Sequence, residues 1–123
     1  MKKIFIAALF FTSICFSQTG KFNELNEEGK LTEYISKDGS IFKVDEKIVI
    51  GYPWNKEYFL FLTQGNNNAD SKLSNSILKI NKIEVFKLSN GFLKAYIVSK
   101  DFGMIPLYID IESAIETKEI TIQ

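Results

Sequence analysis

Apolar residues in this chain fall in short runs separated by turn residues, a spacing that predicts strands rather than helices. Residues 18–30 are polar and weakly patterned, and read as a flexible lead-in to one β domain over residues 31–123. Lys37-Asp38-Gly39-Ser40 is a turn, after which Ile41 to Val44 reads as a strand, Asp45-Glu46 as a tight connection and Lys47 to Ile50 as the hairpin partner. Pro53, within Gly51 to Asn55, ends that hairpin because it has no N–H for a ladder. Tyr58 to Thr63 is dense enough in aromatic and aliphatic residues to be a central strand. Gln64 to Ser76 carries no apolar period and reads as the longest loop.

Alternation resumes at Ile77 to Leu88 but slips by one residue. Leu78 and Ile80 point one way, then Ile83 and Val85 take over, which predicts a β-bulge at Asn81-Lys82. Ser89-Asn90-Gly91 is a hairpin turn into Phe92 to Ser99, and Lys100 to Gly103 turns the chain again. Ile105, Leu107, Ile109 and Ile111 then alternate with Pro106, Tyr108 and Asp110, with Pro106 placing the start of that strand at a sheet edge. Glu112 to Thr117 predicts one helical turn, and Ile120 with Ile122 a last short strand. The expectation is an all-β fold of about six or seven short strands in a partly open barrel, SH3-like or OB-like, with one short C-terminal helical turn.

The start of the chain follows a different logic. Lys2 and Lys3 precede the apolar run Ile4 to Phe11, and Cys15-Phe16-Ser17 places small residues before Gln18. This is the pattern of a secretory signal peptide, residues 1–17, and it predicts a protein exported to the periplasm or outside a bacterial cell. Cys15 also invites comparison with a lipoprotein signal, but the β-branched Ile14 before it disfavours a lipid anchor. Cleavage before Gln18 would remove the one cysteine, so the domain is expected to stand without a disulfide. No later apolar run is long enough to form a transmembrane segment.

The segments Asp38-Gly39-Ser40-Ile41-Phe42-Lys43 and Lys47-Ile48-Val49-Ile50-Gly51-Tyr52-Pro53, with Tyr108 to Glu116, resemble small secreted β domains of Bacteroidota proteins. The signal peptide, ending in Ser-Gln, is similar to export signals of the same group. The resemblance covers about residues 36–120 and rests on turn and core positions. It implies the fold and supplies no site, since no activity is assigned to such domains. Where they show Gly-Asp before the second strand, this chain has Asp45-Glu46.

Composition narrows the chemistry. The chain has 123 residues, with 15 basic and 15 acidic side chains, no histidine, and lysine as its sole basic residue. Histidine-based nucleophilic catalysis is therefore excluded, and zinc lacks its usual ligands. A near-neutral chain without arginine is a poor nucleic-acid binder. Ser40/Lys43 and Ser76/Lys79 spell S-x-x-K, but on a strand such side chains leave opposite faces. Asn66 to Asp70 imitates the opening of a calcium loop, yet Ser71 and Ile77 stand where glycine and glutamate are needed. Asp110 and Glu112, read as i and i+2 on one strand face about 7 Å apart, are a permissive pair for a carboxylate-dependent hydrolase.

The aromatic set carries more. Tyr52, Trp54 and Tyr58 cluster around Pro53, and Tyr96 and Tyr108 lie on the more polar faces of their strands. Trp54 either plugs a barrel end or forms an exposed platform. Taken together these residues predict a non-enzymatic module, without metal or cofactor, that binds a protein or peptide in the cell envelope or outside the cell, with strand addition as one mode. The alternatives are a glycan-binding module and the carboxylate-dependent hydrolase.

Overall fold

Gly39 and Gly91, each with positive φ, close the two hairpins that the sequence marks most clearly. The computed structural model to which they belong describes residues 18–122; the predicted signal peptide and Cys15 lie outside the described residues. The first hairpin joins β3 (Glu33–Ile35) to β4 (Ile41–Lys43), with Tyr34 opposite Phe42. The second joins β9 (Lys82–Lys87) to β10 (Leu93–Ser99), where the Leu88 N–H donates to the Phe92 carbonyl at 2.7 Å.

Around these hairpins the chain forms twelve strands in three sheets among the described residues. β1 (Thr19–Lys21) runs parallel to β3 in the first sheet, β1-β3-β4. The second has six antiparallel strands in the order β2-β9-β10-β11-β6-β7, adding β2 (Gly29–Leu31), β6 (Tyr58–Gln64), β7 (Asn67–Asp70) and β11 (Leu107–Asp110). The third, β12-β5-β8, is made of β5 (Lys47–Ile50), β8 (Ile77–Lys79) and β12 (Ile120–Ile122). Among the described residues a single α-helix, α1 (Ile111–Glu116), follows β11, and Asp110 caps its start. The sheets do not close into a barrel, so the fold is all-β and partly open.

All three sheets and α1 turn their apolar faces to one core. Tyr34 and Phe42 come from the first sheet, Phe59, Leu62, Ile83, Ile97, Leu107 and Ile109 from the second, and Ile48, Ile50 and Leu78 from the third. Ile111 and Ala114 close it from the helix. Among the described residues no helix is long and apolar enough to cross a membrane.

Several expectations are corrected. The phase slip at Asn81 is not a bulge within one strand but a change of sheet. Ile80 exchanges backbone hydrogen bonds with Asp45 and Glu46 beside β5, each 2.8 Å, whereas the Asn81 N–H donates to Val98 on β10 at 3.0 Å. The register irregularity lies instead on β6, between Tyr58 and Thr63. β4 and β5 do not pair with each other: β4 pairs with β3, and β5 with β8 and β12, so Asp45-Glu46, with Asp45 at φ 74°, carries the chain between sheets. Residues 18–30 are not merely a lead-in, since β1 and the start of β2 belong to sheets. The presumed loop Gln64 to Ser76 holds β7 and a 3-10 turn, Ser71–Leu73. β11 is an inner strand, and Pro106 lies before it, at its entry rather than on an edge.

Candidate functional site

The Gly51–Tyr58 loop leaves β5 and returns as β6, and its shape is fixed by hydrogen bonds to its backbone. The Lys56 N–H donates to Pro53, while the Asn55 side chain accepts from the N–H groups of Glu57 and Tyr58, each 3.0 Å. The Trp54 N–H donates at 2.9 Å to Oε2 of Glu119, a fully buried residue between α1 and β12. The same carboxylate accepts from the Leu60 and Phe61 N–H groups of β6, each at 2.9 Å. Glu119 therefore fastens the loop to the irregular part of β6. Because two consecutive N–H groups turn toward it, the β6 ladder is interrupted there, and Phe59 and Leu62, rather than alternate residues, reach the core.

Trp54 does not plug a barrel end. It and Tyr52 are each 65% exposed, and Tyr58 is 42% exposed. Tyr52 and Trp54 border a shallow cleft of about 430 Å³ on the outer side of the third sheet, with Val49, Asn75, Lys118 and Thr121. The Tyr52 hydroxyl accepts from the Asn75 side-chain amide at 2.7 Å, which holds one aromatic wall in place. Beyond the cleft, Ile77 lies opposite Val49 on β8 and is half exposed.

Tyr96 and Tyr108 belong to another place. They share the outer face of the six-stranded sheet with Phe86, whose ring centroid lies 5.5 Å from that of Tyr96, edge-on, and 6.1 Å from that of Tyr108. Burial first, and then the charge of Asp110, push the Tyr96 hydroxyl above its ordinary range. The five predicted aromatic residues thus form two groups. The loop group is the exposed one.

The remaining candidates have structural employment. Asp110 ends β11 and Glu112 lies in α1, so the two do not share a strand face. Asp110 pairs with the Lys94 ammonium at 2.7 Å and caps α1. Burial pulls Lys94 down, but its hydrogen bond to Asp110 and the charge there outweigh this and raise it. Lys43 pairs with Glu33 and Lys79 with Asp45, so each lysine of the S-x-x-K pairs is drawn to a carboxylate. Asn67 to Asp70 form edge strand β7, with Ala69 buried and Asp70 capping the 3-10 turn. No cluster of three or more metal-ligating side chains occurs among the described residues. Sequence reasoning missed Glu119, whose partners are backbone groups about 60 residues away and leave no motif.

In comparison with known proteins, the chain matches no family model, no curated protein and no solved structure.

Proposed function

We propose that the protein is an exported, non-enzymatic module that binds a protein or peptide partner, in the cell envelope or outside the cell, through the Tyr52–Trp54 face of its third sheet. The observation that carries this reading is the pair of aromatic side chains, each 65% exposed, beside the cleft. Large rigid aromatics bury much area at small rotamer cost, which makes them frequent anchors of interfaces. The loop beneath them is already held by Glu119, Asn55 and Asn75, so little ordering remains when a partner docks. β12 is an edge strand and reaches the cleft through Thr121, which offers main-chain pairing beside the aromatic anchors.

Crosslinked capture from envelope extract tests this, with wild type, Trp54→Ala, Tyr52→Ala and, as a control, Met104→Ala at a fully exposed position. Each aromatic truncation is expected to weaken capture about tenfold or more, the loss typical of an interface anchor, and the control to leave it intact. Undiminished capture by a folded Tyr52→Ala/Trp54→Ala double variant would remove the face from consideration.

A further inference from the structure

A second hollow, of about 410 Å³, opens where β3, β10 and the start of α1 meet. Three aromatic side chains, Phe22, Tyr34 and Phe92, line it together with Lys94, Asp110 and Glu112. Its size suits a small molecule. The charges are unequally matched. Lys94 is committed to Asp110 at 2.7 Å, with Ser113 Oγ as a further partner at 3.3 Å. Glu112 has neutral partners: the Tyr34 hydroxyl donates to Oε2, and the Lys37 backbone N–H lies 3.2–3.3 Å from both oxygens. Glu112 takes part in none of the ion pairs among the described residues.

The Glu112 carboxylate lines the hollow together with the rings of Phe22, Tyr34 and Phe92. Aromatic faces attract cations, and a carboxylate beside them supplies the counter-charge. The wall already draws one: the Lys37 ammonium lies 5.8 Å from the Phe22 ring centroid. Lys37 is exposed, and a cation–aromatic contact at an exposed site is weak. We infer that this hollow binds a small organic cation, an ammonium carried on an apolar body, with Glu112 as its ion-pair partner and Phe22, Tyr34 and Phe92 as its apolar wall. An anion would meet two carboxylates there, and the one ammonium in the lining, that of Lys94, is already paired with Asp110. The site stands apart from the Tyr52–Trp54 face and does not depend on it.

Amide NMR of the isotope-labelled full chain, titrated at low salt with benzyltrimethylammonium, tests the inference. Saturable shifts at Lys37, Lys94 and Glu112 are expected, with benzyl alcohol about tenfold weaker. Glu112→Gln keeps an acceptor for the Tyr34 hydroxyl and should weaken the cation about tenfold while leaving benzyl alcohol unchanged. Phe92→Ala, at a residue 70% exposed, preserves the fold and should weaken the cation several-fold. A lysine dipeptide run alongside identifies the source of the cation: tighter binding than benzyltrimethylammonium assigns the site to a lysine side chain, weaker binding to a free amine. Absence of saturable shifts, equal affinity for benzyl alcohol, or two folded variants that bind like wild type would overturn the assignment.

Discussion

At Glu119 a charged group lies fully out of water with its donors supplied by the backbone: the N–H groups of Trp54, Leu60 and Phe61. Charge-assisted hydrogen bonds of this kind are about twice as strong as neutral ones. Glutamine keeps the shape but has one acceptor oxygen, and its amide group turns donors toward donors. Glu119→Gln should therefore cost about 3 kcal/mol in urea unfolding, whereas Glu116→Gln, on the exposed side of α1, should cost close to nothing. Tyr34 gives a second test. Burial first, and then the hydrogen bond and charge of Glu112, hold its hydroxyl far above the ordinary value of 10.0. The folded state thus keeps a proton that the unfolded chain releases. This contribution is complete below about pH 10 and is lost as pH rises beyond it toward the raised folded value. Urea midpoints across an alkaline series should fall steeply for wild type and less steeply for Tyr34→Phe. At neutral pH that variant should be weaker by about 1 kcal/mol.

Elements reveal a different division between what a sequence carries and what only the folded chain decides. Gly51 is where the loop leaves β5 and passes close to the end of α1. A Cβ added there would lie 2.3 Å from the Lys118 carbonyl oxygen, and backbone cannot yield as a side-chain tip can. Gly51→Ala should destabilise by about 2–3 kcal/mol and, because Gly51 also donates to the Glu119 carbonyl at 2.8 Å, disturb the register of β12 on β5. Paired calorimetric scans and the amide shifts of Ile120 and Ile122 check both. The need for glycine here was not legible, since neither a turn signature nor a positive φ marks it. The hairpin at Gly91 was legible because its chemistry is local: one residue must adopt positive φ. Of the alternation read at Ile105, Leu107, Ile109 and Ile111, Leu107 and Ile109 were legible because both face the core from β11, whereas Ile105 is exposed before the strand begins and Ile111 reaches the core from α1. The slip at Asn81 was read from sequence at the correct residue and assigned the wrong cause. Period two reports which face a residue uses, and a change of sheet resets it as a bulge does. The false hairpin between Ile41 and Ile50 has the same origin, since two adjacent strands look alike whether they pair with each other or with distant partners.

Across the whole molecule, one core joins three sheets, so the exposed aromatic face is supported by residues remote from it in sequence. Tyr52 and Trp54 were identifiable by type, but their exposure was not, because nothing in a loop sequence says whether its aromatic residues fold inward. The split of Tyr96 and Tyr108 from them was hidden for the same reason, as it depends on strand order in the large sheet. The exposure of Trp54, the single tryptophan, makes the arrangement measurable in solution. A ring in contact with water emits at long wavelength and is open to iodide, and unfolding changes its surroundings little. Tryptophan emission should therefore shift only slightly through a urea transition that circular dichroism records in full. Binding of a partner on this face acts in the opposite direction: it removes water from the ring, moves emission to shorter wavelength and protects it from iodide. A free protein whose emission is already short and poorly quenched would have Trp54 packed inward and no aromatic platform. A large blue shift of the Trp54 emission with the captured partner, much reduced when the partner is presented to Tyr52→Ala, would place the contact on the cleft over β5 and β12, where preorganised aromatics and a free strand edge meet.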